Sequence, residues 1–200
     1  MTSASEKIAA AKAAPRPTTD VTVSLVRDLA EQREALTVEL AEAKKSNDDR
    51  LGAPTAASVV QEKIDAIMAA EADSLLTLRF TQLPGDAWTA LTRLCPPDPN
   101  SLLDMHYRYN LNEVCKLAAR FIDADGRSYG HVVDGDDLAV LTVHRATKTN
   151  PDPTDEWRDV FTATSGPEFS AIVDALYGLN VYGPSERLAE LKKRSASLTA

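Results

Sequence analysis

The residues best suited to metal or thiol chemistry are two cysteines, Cys95 and Cys115, which lie 20 positions apart. A structural zinc site needs four soft ligands in close pairs, so two isolated thiols do not form one. A disulfide is the alternative to two reduced, partly buried thiols, and a cytosolic setting favours the reduced form. We therefore expect the chain to bind no metal and no cofactor.

Two acidic clusters could provide oxygen ligands for a cation. Residues 123–126 (Asp-Ala-Asp-Gly) are similar to the start of an EF-hand calcium loop, which needs an oxygen ligand at its fifth position and glycine at its sixth. This chain has Arg127 and Ser128 there, and a guanidinium repels a cation. We therefore predict a turn at residues 123–126, and a turn or helix cap at residues 134–137 (Asp-Gly-Asp-Asp).

No residue pattern indicates a catalytic centre. The three histidines, His106, His131 and His144, have no short spacing to one another or to a cysteine. The sequence contains no glycine-rich phosphate loop and no Gly-x-Ser-x-Gly motif. We therefore predict no catalytic residue and no enzymatic activity. An enzyme or a host-directed regulator is a further hypothesis, which a polar pocket with strongly perturbed titratable groups would support.

Charge and hydropathy exclude two further classes of function. The chain has 30 acidic and 22 basic residues, a net charge of −8, whereas a general nucleic-acid binder needs a basic face. No apolar run approaches the roughly 20 residues that cross a bilayer. The apolar stretch near the N-terminus is too short for a signal peptide. We expect a cytosolic protein with neither nucleic-acid nor membrane partners.

The N-terminal part predicts an arm followed by a pair of helices. Residues 1–19 are rich in Ala, Thr, Ser and Pro and are interpreted as a flexible arm. Residues 20–73 are interpreted as an amphipathic helical hairpin or coiled coil. Its first helix is capped by Asp20, its loop covers residues 46–54, and its second helix starts near Ala56.

One apolar stripe of this hairpin is the candidate partner-binding surface. It consists of Leu25, Leu29, Leu36, Leu40, Val60, Ile64 and Ile67. The alternative is that the two helices bury these residues against each other and bind nothing else. Residues 20–73 carry twelve acidic and six basic side chains, so the outer face is predicted to be acidic.

Residues 74–182 are predicted to form a small, mostly helical domain with one or two short strands. Leu76, Leu78 and Phe80 alternate with polar residues, which indicates a strand. Four helices are expected to follow, and each has a residue that indicates its start and apolar residues that form one face. The first two start at Pro84, with Trp88, Leu91 and Leu94, and at the cap Asn112, with Val114, Leu117, Ala118 and Phe121. The last two start at Asp155, with Trp157, Val160 and Phe161, and at Pro167, with Phe169, Ile172, Val173 and Leu176. The aromatic residues are interpreted as core anchors.

Several segments of this domain stay ambiguous. Residues 101–112 support neither a strand nor a helix clearly, and residues 138–143 fit a strand or a short helix. Residues 147–154 are interpreted as a loop, and residues 183–200 as a basic tail or a short terminal helix. The predicted fold class is mainly α with a minor β component.

Five short stretches occur in a characteristic order between about residues 75 and 182. They are residues 80–88 (FTQLPGDAW), 95–97 (CPP), 109–111 (YNL), 155–157 (DEW), and 165–166 (SG) followed by 169–180. In this order they resemble the tail assembly chaperones of long-tailed, siphovirus-type phages that infect actinobacteria. The segment 123–150 departs from that pattern because it is longer than the connector expected there.

This resemblance implies a non-enzymatic assembly chaperone in the host cytoplasm. Its partners would be the tape-measure protein, whose long apolar helices it keeps soluble, and the major tail protein, whose subunits it helps to recruit into the tube. A homo-oligomer is also left open. The alternative function is a structural virion component, such as a head-tail or tail accessory protein.

Overall fold

The computed structural model describes residues 3–26, 28–45, 55–144 and 154–198. Over these residues the chain is mainly helical with a small antiparallel sheet, which confirms the predicted fold class. The helices are α1 (Ala4–Ala13), α2 (Asp28–Lys45), α3 (Ala56–Asp73), α4 (Gly85–Leu94), α5 (Leu102–Tyr107), α6 (Leu111–Ala119), α7 (Glu156–Ala163), α8 (Gly166–Tyr177) and α9 (Gly183–Leu198). The strands are β1 (Thr18–Ser24), β2 (Leu75–Thr81), β3 (Gly130–Asp134), β4 (Asp137–Ala139), β5 (Val143–His144) and β6 (Thr154–Asp155).

The main sheet has four strands in the order β1-β2-β3-β4, with every neighbouring pair antiparallel. Strand β2 is central and was predicted from its alternation, because Leu78 and Phe80 face the core and are fully buried. Strands β5 and β6 form a separate two-stranded sheet. The four-stranded sheet exceeds the one or two strands predicted, because residues 18–24 were assigned to the arm and to a helix, and residues 138–143 were left open between strand and helix.

The first predicted helix begins eight residues later than expected. Asp20 lies in β1 and does not cap a helix, and α2 begins only at Asp28. The β-branched residues of the segment 18–24 favour a strand, and Val21 and Val23 pack on the main core. The Asp20 carboxylate instead accepts two hydrogen bonds of 2.7 Å from Arg79 on β2, and this ion pair lowers the pKa of Asp20.

The N-terminal arm contains regular structure that composition did not predict. Helix α1 begins after Ser3, which exchanges capping hydrogen bonds with Glu6, and none of its residues is buried. Thr18 and Thr19, predicted to belong to the arm, are the first residues of β1. Alanine-rich sequence with a good cap forms this helix without burying an apolar face.

Helices α2 and α3 form the predicted antiparallel hairpin. Arg33, near the start of α2, pairs with Glu71 near the end of α3 at 3.2 Å, whereas Leu40 packs on Val60 and Ile64. These three apolar residues form a small core of their own, separate from the main core. The predicted loop at 46–54 lies outside the described residues, and the coiled-coil geometry stays a prediction.

The main core lies where the sheet meets α6, α7 and α8. Trp157, Phe80, Leu78, Ile172 and Leu176 are its largest fully buried members. Trp157 lies against the backbone of β3 at Gly130, where an added Cβ would sit 2.7 Å from the indole Cζ2 and 2.2 Å from the Ala119 carbonyl oxygen. Only glycine therefore allows β3, α6 and α7 to approach so closely.

Three details of the segment 84–144 correct or complete the prediction. Helix α4 follows Pro84 as expected, but Leu94 is 70% exposed and does not belong to the core. Asn110 rather than Asn112 caps α6, because its Oδ1 accepts the Glu113 N–H at 2.9 Å. The ambiguous residues 101–112 include α5, and residues 138–143 contain strand rather than helix. Most of the predicted loop at 147–154 lies outside the described residues.

Gly183-Pro184 does not interrupt the helical structure as predicted. Helix α8 continues into α9 through a π-helical turn, Gly178–Tyr182. In this turn the Gly183 N–H donates to the Gly178 carbonyl, five residues earlier. The wider turn accommodates Pro184, which has no N–H and would clash with a carbonyl in an ordinary helix. Leu83 N–H donates to Asn180 Oδ1 at 2.8 Å, which fastens this π-turn to the β2–α4 connection.

The close approach at Gly130 yields a stability prediction. We expect Gly130→Ala to lower the free energy of unfolding by about 1–3 kcal/mol or more, because the new methyl group overlaps a carbonyl oxygen and an indole ring. Urea unfolding followed by tryptophan fluorescence measures the change. Gly85→Ala is the matched control, since nothing lies within 4 Å of its Cβ position. Equal stability of the two variants would contradict the close contact.

The separate core of the hairpin yields a second prediction. Ile64→Asp places a charge in the buried contact between α2 and α3, and we expect these two helices to open while the main core stays folded. Hydrogen exchange would then show lost protection over residues 28–45 and 56–73 only. Ala66→Asp, on the exposed side of α3, serves as control and should keep the protection of wild type. Loss of protection throughout the chain in Ile64→Asp would refute independent opening.

Candidate partner-binding groove

The predicted partner-binding stripe does not form one exposed surface. Leu40, Val60 and Ile64 are buried against each other, and Leu36 packs on them. Leu29 and Ile67 are half-buried on the same two helices. Leu25 lies just beyond β1, outside the helix to which it was assigned, and its N–H donates to the Ser74 carbonyl. The helices thus use part of their stripes to hold each other.

A different surface combines cations with aromatic rings. A groove of about 310 Å³ lies between α6, α7 and α8 and is lined by Lys116, Arg120, Arg158, Phe161, Thr162 and Phe169. Three positive side chains therefore meet in a chain whose net charge is −8. We name this surface the basic–aromatic groove.

Helix periodicity places these side chains together. Helix α6 buries Val114, Cys115 and Ala118 in the main core, so Lys116 and Arg120, four residues apart, fall on the side facing the groove. On α7, Trp157 and Val160 are buried, which turns Arg158 and Phe161 towards the same groove. The buried face of each helix thus fixes its contribution to the groove.

The aromatic rings extend in a row from the core to this surface. Phe80 lies 6.0 Å from Trp157, Trp157 lies 5.7 Å from Phe161, and Phe161 lies 5.9 Å from Phe169, measured between ring centroids. Lys116 Nζ lies 5.5 Å from the Phe169 centroid, and the Arg120 guanidinium lies 5.6 Å from the Phe161 centroid. The outer two rings therefore position two of the three cations.

Carboxylates of the chain already bind two of these cations. Lys116 pairs with Glu113 at 2.8 Å, and Arg120 pairs with Asp155 at 3.1 Å. Asp155 also accepts the Arg158 N–H at 2.9 Å as the N-cap of α7. Among the described residues, no ion pair is formed by the Arg158 side chain, and the buried Arg120 Nε has no hydrogen-bond partner. The groove therefore offers N–H donors and positive charge to a further carboxylate.

Only some of the groove residues could be predicted from the sequence. Phe161 and Phe169 were interpreted as core anchors, yet both are half-buried and their outer surfaces line the groove. The spacing of Lys116 and Arg120 indicates that two cations lie on one side of α6. The position of Arg158 could not be predicted from the sequence, because it depends on how α7 packs against α6.

A second groove lies beside the π-turn. It has a volume of about 670 Å³, and its lining includes Arg16, Gln82, Trp88, Tyr109 and Asn180. The Gln82 amide donates to the Leu179 carbonyl at 3.0 Å, and Asn180 bonds both Leu83 and Leu176. These amides hold the π-turn in place, so their first role is structural.

Burial shifts the pKa of several titratable groups outside the basic–aromatic groove. Cys95 and Cys115 are free, and burial raises the pKa of Cys115 to about 12. Burial, with a hydrogen bond to Tyr107, raises the pKa of Tyr177 to about 12. Burial and the nearby Arg79 lower the pKa of His131. Within the described residues, no three His, Cys, Asp or Glu side chains are grouped to hold a metal ion.

The raised pKa values predict a loss of stability in alkali. Cys115 and Tyr177 ordinarily titrate near 9.0 and 10.0, so the unfolded chain releases protons that the folded chain keeps. The contribution of these two groups to the free energy of unfolding should therefore be constant below about pH 9 and fall as the pH rises through about 12. Urea unfolding at pH 7 to 11 measures this decline.

Single variants separate the two contributions. Cys115→Ala should make the decline between pH 9 and 10 shallower, and Tyr177→Phe should do so above pH 10. The comparison uses slopes against pH, because each variant also loses packing. Slopes equal to wild type in both variants would contradict the assignment.

No helix within the described segments is both long and apolar enough to cross a membrane. No family model matches the chain, and neither a curated protein nor a solved structure shows significant similarity to it.

Proposed function

We propose that this chain is a non-enzymatic assembly chaperone of a long-tailed actinobacteriophage, acting in the host cytoplasm. It binds the tape-measure protein and helps to recruit tail-tube subunits of the major tail protein. The observation that carries a protein-binding role is the open basic–aromatic groove, with three cations around Phe161 and Phe169. The five-part sequence resemblance supports the narrower role in tail assembly.

The chemistry of the groove favours an acidic polypeptide segment. Lys116 and Arg120 already pair with the carboxylates of Glu113 and Asp155, so the cations of the groove bind groups of this chemistry. The faces of the half-buried rings provide apolar contact for the methylene groups of the same segment. Aromatic and arginine side chains together are typical of residues that dominate protein interfaces.

The α2–α3 hairpin has a different role in this proposal. Its apolar stripe is largely used between α2 and α3, so the partner contacts the groove rather than the stripe. The hairpin segment holds twelve of the chain's 30 acidic residues against six basic ones. This surplus repels other acidic surfaces and keeps a complex with an apolar partner soluble.

Co-expression with fragments of the tape-measure protein tests the proposal. We expect a fragment to co-purify with wild type, and Arg158→Glu to weaken its binding by about tenfold or more, because the reversed charge repels a carboxylate in the groove. Arg127→Glu is the matched control, since its side chain is 74% exposed and lies outside the groove. Circular dichroism establishes that both variants are folded.

Three outcomes discriminate between the hypotheses. A folded wild-type chain that binds no tape-measure fragment of any length would remove the chaperone role. Equal loss of binding in Arg158→Glu and Arg127→Glu would exclude the groove as the binding site for the tape-measure protein. Mass spectrometry of purified particles separates the alternative, because a stoichiometric amount of the chain indicates a structural virion component.

A further inference from the structure

Helix α9 carries two exposed leucines on its surface. It covers Gly183–Leu198, and every residue from 185 to 194 is exposed. Leu188 is 54% and Leu191 61% exposed. Isolated helices of this length are marginal in water, because most helical stability comes from packing an apolar face. The exposed leucines of α9 are therefore suited to contact with a partner.

The leucines lie on one side of α9 and have cations beside them. With Leu188 at position a of a heptad and Leu191 at position d, Arg187 takes position g and Lys192 position e. Positions e and g flank the apolar seam of a helical pair. The two acidic residues, Glu186 and Glu190, take positions f and c, away from the seam, where both line a groove beside Pro17 and the π-turn. The seam therefore has positive borders while the negative charges point away from it.

This charge pattern selects the partner. In a parallel pair of α9 helices, Arg187 of one copy would face Lys192 of the other. In an antiparallel pair, each cation would face its own counterpart. Both arrangements place like charges together, which disfavours a second copy of α9. The hairpin of a second copy is also unsuited, because its apolar seam is already buried between α2 and α3.

We infer that α9 is a docking helix for an amphipathic helix of another protein, with apolar residues at positions a and d and Glu or Asp at positions e and g. Leu188 and Leu191 supply the apolar contact, and Arg187 and Lys192 pair with the acidic borders of the partner. This surface is separate in the sequence from the basic–aromatic groove, and the inference does not depend on the proposed tail-assembly role.

Two synthetic helices of about three heptads test the inference on the full-length chain. Both carry leucine at positions a and d; the first has glutamate at e and g, and the second has lysine there. Neither pairs well with itself, because like charges flank its seam. Fluorescence anisotropy of labelled peptides should show the glutamate peptide binding at least about tenfold more tightly than the lysine peptide.

Three variants identify the residues responsible. The pair Leu188→Asp and Leu191→Asp should abolish binding of the glutamate peptide. The pair Arg187→Glu and Lys192→Glu keeps the leucines and should reverse the preference in favour of the lysine peptide. Glu190→Lys changes the charge at position c, away from the seam, and should preserve the preference of wild type. Arg158→Glu should also preserve it, which separates this helix from the groove.

Four outcomes would overturn the inference. They are equal binding of the two peptides, no binding of either, a preference that the pair Arg187→Glu and Lys192→Glu does not reverse, and sedimentation showing that α9 dimerises through Leu188 and Leu191. Duplex DNA provides the last comparison. DNA binding that survives the leucine substitutions, without peptide binding, would assign the cations to nucleic acid instead.

Discussion

The packing of Trp157 on the bare backbone of Gly130 is the contact on which the rest of the body depends. An added Cβ at Gly130 would overlap the Ala119 carbonyl oxygen and the indole. The absence of a side chain at residue 130 therefore lets β3, α6 and α7 lie this close together. Trp157 in turn supports Phe161, and Phe161 contacts Phe169. One buried ring therefore fixes how far α7 lies from α6, and with it the spacing of the surface cations.

The basic–aromatic groove is a consequence of that core. Arg158 follows Trp157 directly in the sequence, and Arg120 lies over the ring of Phe161. The cations therefore depend on aromatic side chains that are anchored inside the molecule, which limits the rotamer freedom lost when a partner binds. Such preorganisation distinguishes these cations from lysines and arginines that project freely into water.

Periodicity in the sequence predicted the elements whose local pattern agreed with their final environment. Strand β2, the helices after Pro84, Asp155 and Pro167, and the paired helices of the hairpin all belong to this class. Strand β1 was missed because Leu25 and Leu29 extended a helical spacing backwards over residues 18–24, although Val21 and Val23 already alternated as in a strand. The π-turn was missed because Gly183-Pro184 ordinarily ends a helix, whereas bonds from Gln82 and Leu83 hold it here. Local spacing could not predict the groove, since α6, which is distant in the sequence from α7 and α8, forms one of its sides.

The hairpin has an unusual place in the connectivity. Ser24 at the end of β1 pairs directly with Leu75 at the start of β2, so residues 25–74 form one long connection between two adjacent strands. Because the entropy cost of closing a loop grows only with the logarithm of its length, a long insertion at this point lowers the stability of the sheet little more than a short turn does. The α2–α3 pair, with its own core, is therefore a cassette that evolution or protein engineers can lengthen, shorten or exchange while the strands keep their register.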